Sequence, residues 1–97
     1  MEAVIRWLLW DDFNVVHIAR HQVTPAEVEQ VVYLDERALA FEDDRHRPGR
    51  LIVLGVTTQV RPLFVALDVP TGVGDRYVVT ARPMTVKEEQ LYEEEAP

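Results

Sequence analysis

Three apolar runs, RLIVLGVTT (50–58), RPLFVALDV (61–69) and RYVVTARP (76–83), follow one another with connectors of only a few residues. A parallel pairing needs a crossover of a dozen or more residues, so strands joined this closely pair antiparallel. The shorter ALAF (38–41), linked to the first run by the turn-rich EDDRHRPG, adds a fourth strand. Leu51 to Leu54 and Leu63 to Leu67 are apolar without alternation, which predicts strands covered on both faces or a strongly curved sheet. Helices should cover at least one face.

Their starts are written in the chain. Thr24, Pro25 and Glu27 combine a threonine N-cap, a proline at the first helical position and the glutamate of a capping box. That helix turns Val28, Val31 and Val32 inward and leaves Glu27, Glu29 and Gln30 to water. Before it, Asp12 reads as the cap of a helix with Val15, Ile18 and Ala19 at helical spacing, running through Arg20 and His21. Thr85 and Glu88 repeat the capping-box spacing and open a last helix with Leu91 and Tyr92 as its apolar positions, ending in Glu93 to Glu95. The opening stretch Ala3 to Trp10, apolar apart from Arg6, reads as a short strand. The expectation is one α+β domain over residues 1–97. It has an antiparallel sheet of about four strands with a short N-terminal strand as a candidate addition, two N-terminal helices and one C-terminal helix.

A chain of 97 residues with 47% apolar and 28% charged residues has room for one domain and enough apolar surface for a core. There is no cysteine, which removes disulfides, thiolate nucleophiles and cysteine-based metal sites. Absence of serine removes a serine triad. Gly72 and Gly74 lie between strands with no lysine after them, so a phosphate-binding glycine loop is unsupported. No stretch approaches the roughly 18 apolar residues of a membrane span, and MEAVIRWLLWDD has no basic leader. The expected compartment is the cytoplasm, without a membrane partner.

The net charge is −7. Residues 1–44 carry three arginines against ten acidic residues, and residues 83–97 carry one lysine against five glutamates. Between them Arg45, Arg47, Arg50, Arg61, Arg76 and Arg82 face only Asp68 and Asp75. A local anion site is compatible with an acidic whole, because charge is screened over about 8 Å at physiological salt. Arg50, Arg61 and Arg82 fall at the ends of strands, where a meander is expected to bring them together. Arginine's planar fork of donors suits a phosphodiester and its pentavalent transition state. The other reading is a set of ion pairs with Asp43, Asp44, Glu88 and Glu89, and spacing alone leaves both open. His17 and His21, four apart, share a helix face. Zinc ligands use that spacing, but the glutamate that a metalloprotease needs after the first histidine is replaced by Ile18. A hydrogen-bonded structural role and general acid–base work near the usual histidine pKa of about 6.5 are the alternatives. Trp7, Trp10, Phe41, Phe64 and Tyr77 read as core aromatics.

Taken in order, WDDFNVVHIARHQVTPAEVEQVV (10–32), GRLIVLGVTTQVRPLFVAL (49–67) and RYVVTARPMTVKEEQLYEEE (76–95) resemble the BrnT family of toxins. The more specific parts are Trp10 and Asn14 with His17 and His21, the TPAEVE helix start, Gly49 and Arg50 leading to Leu54, Gly55 and Thr57, and Ala81, Arg82, Thr85, Glu88 and Tyr92. The resemblance implies a RelE-like ribonuclease fold and an RNA-cleaving toxin of a type II toxin–antitoxin system. It implies metal-independent cleavage without a cofactor, and a small, dimeric, BrnA-like antitoxin as partner that alone touches DNA. Arg50, Arg61 and Arg82 then correspond to the family's sheet arginines, and His21, Glu88 and Tyr92 to its recurring positions. The alternative from another class is a weakly active or inactive interaction module of the same fold, its acidic ends suited to a basic partner. The chain departs from the family pattern in its acidity and at two positions: Gln22 and Val60 stand where the family commonly has glycine.

Overall fold

The computed structural model describes residues 5–43, 45, 47–72 and 74–97. In chain order the elements are β1 (Trp7–Leu9), α1 (Asp12–Ala19), α2 (Pro25–Glu29), a π-helical turn (Gln30–Leu34), β2 (Leu39–Glu42), β3 (Leu51–Val56), β4 (Pro62–Leu67), β5 (Asp75–Pro83) and α3 (Val86–Glu95). The strands form one sheet in the order β1-β5-β4-β3-β2. The short connectors give an antiparallel β2-β3-β4-β5 meander, with Leu54 opposite both Leu39 and Phe64, and Phe64 opposite Arg82. The expectation of an antiparallel sheet of about four strands is corrected by β1, which pairs parallel to β5 and makes the sheet five-stranded and mixed. Nearly the whole chain lies between β1 and β5, so no short connector dictates their direction.

Alternation sends each central strand's side chains to two faces, and both are covered. On the first, Leu51 and Val53, Leu63, Val65 and Leu67, and Val78 and Ala81 pack with Ile18 of α1, Val28 of α2, Val31 of the π turn and Leu8 of β1. On the second, Ile52, Leu54 and Ala66 pack with Leu39, Phe64, Val79, Met84 and Tyr92 of α3. This double coverage explains the continuous apolar run of β3, buried at every residue from Leu51 to Gly55. At Gly55 a Cβ would lie 2.8 Å from Val31 Cγ1 and 2.9 Å from Asp35 Oδ2, so the π turn can approach β3 only where there is no side chain. No helix among the described residues is long and apolar enough to cross a membrane.

The helix starts differ in detail from the sequence reading. The cap of α1 is Asp11, not Asp12: Asp11 Oδ1 accepts from the Asn14 N–H at 3.0 Å and Asn14 Oδ1 accepts from the Asp11 N–H at 2.9 Å. One residue's shift rotates the buried face onto Asn14 and Ile18, leaving Val15 and Ala19 exposed. Thr24 and Glu27 do form the capping box of α2. Glu27 and Gln30 do not simply face water: Gln30 Oε1 accepts from the Thr58 N–H and hydroxyl, both at 3.1 Å, and Glu27 takes an arginine described below.

Two non-glycine residues among those described have left-handed backbone, Gln22 (φ 61°) and Val60 (φ 62°). Gln22 ends α1 in a Schellman arrangement, with Val23 N–H bonded to the Ile18 carbonyl at 3.1 Å and Gln22 N–H to the Ala19 carbonyl at 2.9 Å. Val60 closes the turn between β3 and β4, its N–H 2.8 Å from the Thr57 carbonyl. A Cβ in this region costs about 1–2 kcal/mol, and a β-branched one is the harder case. Gln22→Gly and Val60→Gly are therefore each expected to stabilise the protein by about 1 kcal/mol, after allowing for glycine's greater freedom in the unfolded chain. Urea unfolding would register this as a higher midpoint at unchanged slope.

Candidate functional site

The meander fixes where the six candidate residues go. β3 and β4 run in opposite directions, with Leu51 opposite Leu67 and Val56 opposite Pro62, so Arg50 and Arg61 stand at opposite ends of the sheet, roughly 20 Å apart along the strands. The convergence expected of Arg50, Arg61 and Arg82 does not occur. Arg61 and Arg82 do share an end, since Leu63 pairs with Pro83, but their side chains bind helices on opposite faces.

Arg61 is held on the first face. Its Nη1 donates to Glu27 Oε2 at 2.8 Å, to Glu27 Oε1 at 3.0 Å and to the Gln22 carbonyl at 2.8 Å. His21 adjoins this site in sequence, through the strained Gln22. Arg82 is held on the second face, where Nη1 and Nη2 donate to Glu88 Oε1 and Oε2 at 2.8 and 2.9 Å. Its guanidinium carbon lies 3.9 Å above the centre of the Phe64 ring. The ladder continues past β3 through the Asp43 N–H to the Arg50 carbonyl at 2.8 Å, so alternation puts Arg50 on the side of Ile52 and Leu54. Arg50, Arg82, Glu88 and Tyr92 thus belong to the second face, and Arg61 and His21 to the first. Arg50 Nε is buried without a hydrogen-bond partner.

Both ion pairs reuse a helix start. Glu27 and Glu88 close the capping boxes of α2 and α3, accepting from Thr24 N–H at 3.0 Å and Thr85 N–H at 2.9 Å, and the same carboxylates hold the arginines. Burial pushes both carboxyl groups up, but the arginine hydrogen bonds and the threonine amides outweigh it and hold each below the ordinary value of 4.5. A carboxyl depressed on folding contributes stability that is fully present above about 4.5 and is lost as pH falls through the folded value. Acidification is expected to open both pairs together. Thermal unfolding between pH 6 and 3 would record a falling midpoint, with the fall diminished in Glu27→Gln and Glu88→Gln.

Tyr92 Oη donates to Asp35 Oδ2 at 2.9 Å, and the Val56 N–H donates to the same oxygen at 2.9 Å. Burial, then the Asp35 carboxylate, raise the Tyr92 phenol above its ordinary 10.0, so Tyr92 remains a donor that ties α3 to the π turn. Asp35, the C-cap of the π turn, is not among the six candidate residues. His17 Nε2 lies 3.0 Å from Thr80 Oγ1, and the His17 and His21 rings meet edge to face with centroids 5.5 Å apart. The described residues contain no group of three or more histidines or acidic residues arranged to hold a metal. At the far end Arg76, 9% exposed, donates Nη1 to the Gly49 and Asp68 carbonyls at 2.9 and 3.0 Å and braces the loops that precede β3 and follow β4.

No protein-family model matches the chain, and no curated protein matches it.

Proposed function

We propose that the chain is a BrnT-like endoribonuclease toxin with a RelE-like fold, restrained by a small antitoxin that offers it a basic surface. The observation that carries this reading is the backbone at Gln22 and Val60. The resemblance expects glycine at these two positions, and they are the two described non-glycine residues with positive φ. A glycine-requiring conformation that persists under a glutamine and a valine fits a chain that has kept the family's turns while changing their residues.

In this reading RNA lies on the second face. Arg82 and Arg50 supply guanidinium groups to the phosphate backbone, and Phe64 supports Arg82 from below. A phosphate that takes the Arg82 fork frees the Glu88 carboxylate, which then loses the partner that weakens it as a base and can accept the 2′-hydroxyl proton. The 2′-oxygen attacks phosphorus, and the P–O5′ bond breaks to leave a 2′,3′-cyclic phosphate and a 5′-oxygen that takes its proton from solvent. Arg82 offsets the charge of the phosphorane, while Arg50 holds a more distant phosphate. Tyr92 positions α3, which carries Glu88.

One observation favours the interaction-module alternative: Arg61 and Arg82 are already paired with carboxylates, and Arg61 and His21 lie on the other face. Inducing the protein in cells beside a folded Arg50→Ala, Arg61→Ala, Arg82→Ala variant separates the two. Growth arrest and RNA loss with wild type alone are expected. Continued growth with intact RNA while both proteins accumulate folded would overturn the toxin reading in favour of the module.

A further inference from the structure

The outer side of α1 is used by neither the core nor the arginine sites. Asp12, Phe13, Val16, His17 and Arg20 line a groove of about 420 Å³ there. Phe13 is 85% exposed and Val16 54%, the former the most exposed large apolar side chain among those described. Single exposed apolar residues are ordinary, but a phenylalanine and a valine one helical turn apart on one open groove form a patch.

Charge says what covers it. The N-terminal end of the stripe carries Asp12, and the C-terminal end carries Arg20. Asp12 and Arg20 stand four residues before and after Val16, on its side of the helix. A stripe with this symmetry is complementary to itself when reversed. A twofold axis beside Val16 sets each Asp12 against the second copy's Arg20 and brings the two Phe13 rings into the shared groove. The N-terminal ends of both helices then face C-terminal ends, the favourable arrangement of their dipoles. A partner of one sign would instead leave one end of the stripe facing like charge. Closed twofold pairing needs this kind of self-complementary surface.

We infer that α1 is a homodimer interface, in which two copies pack antiparallel through Phe13 and Val16 and are registered by reciprocal Asp12–Arg20 pairs. The inference is independent of RNA cleavage, because α1 packs on the first face and the Arg82 site lies on the second. The net charge of −7 opposes association at long range, yet screening over about 8 Å leaves the local pairs to decide the contact. One short helix per copy buries an area at the low end for stable interfaces, so the dimer belongs in the micromolar range or weaker.

Sedimentation equilibrium of the full chain over a wide concentration series tests this, with circular dichroism confirming that every variant is folded. Wild type is expected to show a reversible monomer–dimer equilibrium, and Phe13→Asp to be monomeric throughout. Asp12→Arg and Arg20→Asp, each of which places like charges at both contacts, should weaken self-association about tenfold. An equimolar mixture of those two variants should recover a heterodimer near wild-type affinity, since every contact is again opposite in sign. A wild type that stays monomeric at all concentrations overturns the inference. So does a dimer that Phe13→Asp leaves intact, or a mixture no tighter than either single variant.

Discussion

In the proposed ribonuclease reaction, Arg82→Ala is expected to lower RNA cleavage by about 100-fold while leaving the protein folded, the loss typical of removing one preorganised donor from a developing oxyanion. The side chain is a third exposed and its guanidinium is held by three residues: both Glu88 oxygens, the Pro83 carbonyl at 3.1 Å and the face of Phe64. When a phosphate displaces the Glu88 oxygens from the fork, the Pro83 carbonyl and the Phe64 ring still hold the guanidinium in place, which is the preorganisation that electrostatic stabilisation needs. Losing the pair and the ring contact should also lower stability by about 1–2 kcal/mol, too little to unfold a domain of ordinary stability. Arg82→Lys separates charge from geometry, because an ammonium keeps the sign but cannot bridge two oxygens side by side. It should fall between wild type and alanine. Glu88→Gln keeps an acceptor for Arg82 and removes the base, so it should depress the rate with little change in substrate affinity. Cleavage of a short single-stranded RNA, followed with excess protein, gives the rate directly. A folded Arg82→Ala protein that cleaves at the wild-type rate removes Arg82 from the reaction and takes the Glu88 role with it.

How much of this could be read from the chain depended on the reach of each signal. The antiparallel meander followed from connectors too short for anything else, and the α2 and α3 starts from three-residue capping patterns; both are local. The direction of β1 was hidden because its partner lies at the other end of the sequence and no connector constrains it. The cap of α1 slipped by one residue because Asp11 and Asp12 are adjacent and either satisfies the pattern. What decides between them is Asn14, which closes the box only with Asp11. Glu27 and Glu88 were legible as caps, but not as the carboxylates of Arg61 and Arg82 at once. Ion pairing between Arg82 and Glu88 was one of two readings left open, and structure selects it. The arginines do not converge because successive strand starts alternate between the two ends of the sheet. Arg50 opens β3 and Arg61 opens β4, and in a hairpin two openings lie at opposite ends. Asp35, which binds both Tyr92 and the Val56 amide, gave no sequence signal, since an aspartate after a helix is an ordinary residue.

Asn14→Ala is expected to destabilise the protein by about 3–5 kcal/mol, a large share of the roughly 5–15 kcal/mol of a typical domain. Asn14 is 2% exposed, and its side chain is where α1, β1 and β5 meet. Nδ2 donates to the Leu9 carbonyl at 2.9 Å and to the Val78 carbonyl at 3.1 Å, while Oδ1 accepts from the Asp11 N–H at 2.9 Å. Beyond Leu9 the chain leaves β5, whose register with β1 ends at Tyr77, so the next carbonyl of β5 has no strand beside it. The asparagine amide takes that place and uses its other half to cap the helix. Truncation leaves two carbonyls and an amide in a site too enclosed for easy hydration, each costing about 1–3 kcal/mol. Asn14→Asp is the sharper comparison. It keeps the size and the acceptor for Asp11 but turns a carboxylate oxygen toward two carbonyl oxygens, so it should be at least as damaging as alanine above pH 5. If Asn14→Asp unfolds in urea within about 1 kcal/mol of wild type at pH 7, the amide's two donated bonds are not what holds β1 to the sheet. Hydrogen exchange supplies the local readout: protection should fall first in β1 and α1 of the alanine variant, and last in β3 and β4, whose core residues do not depend on this brace.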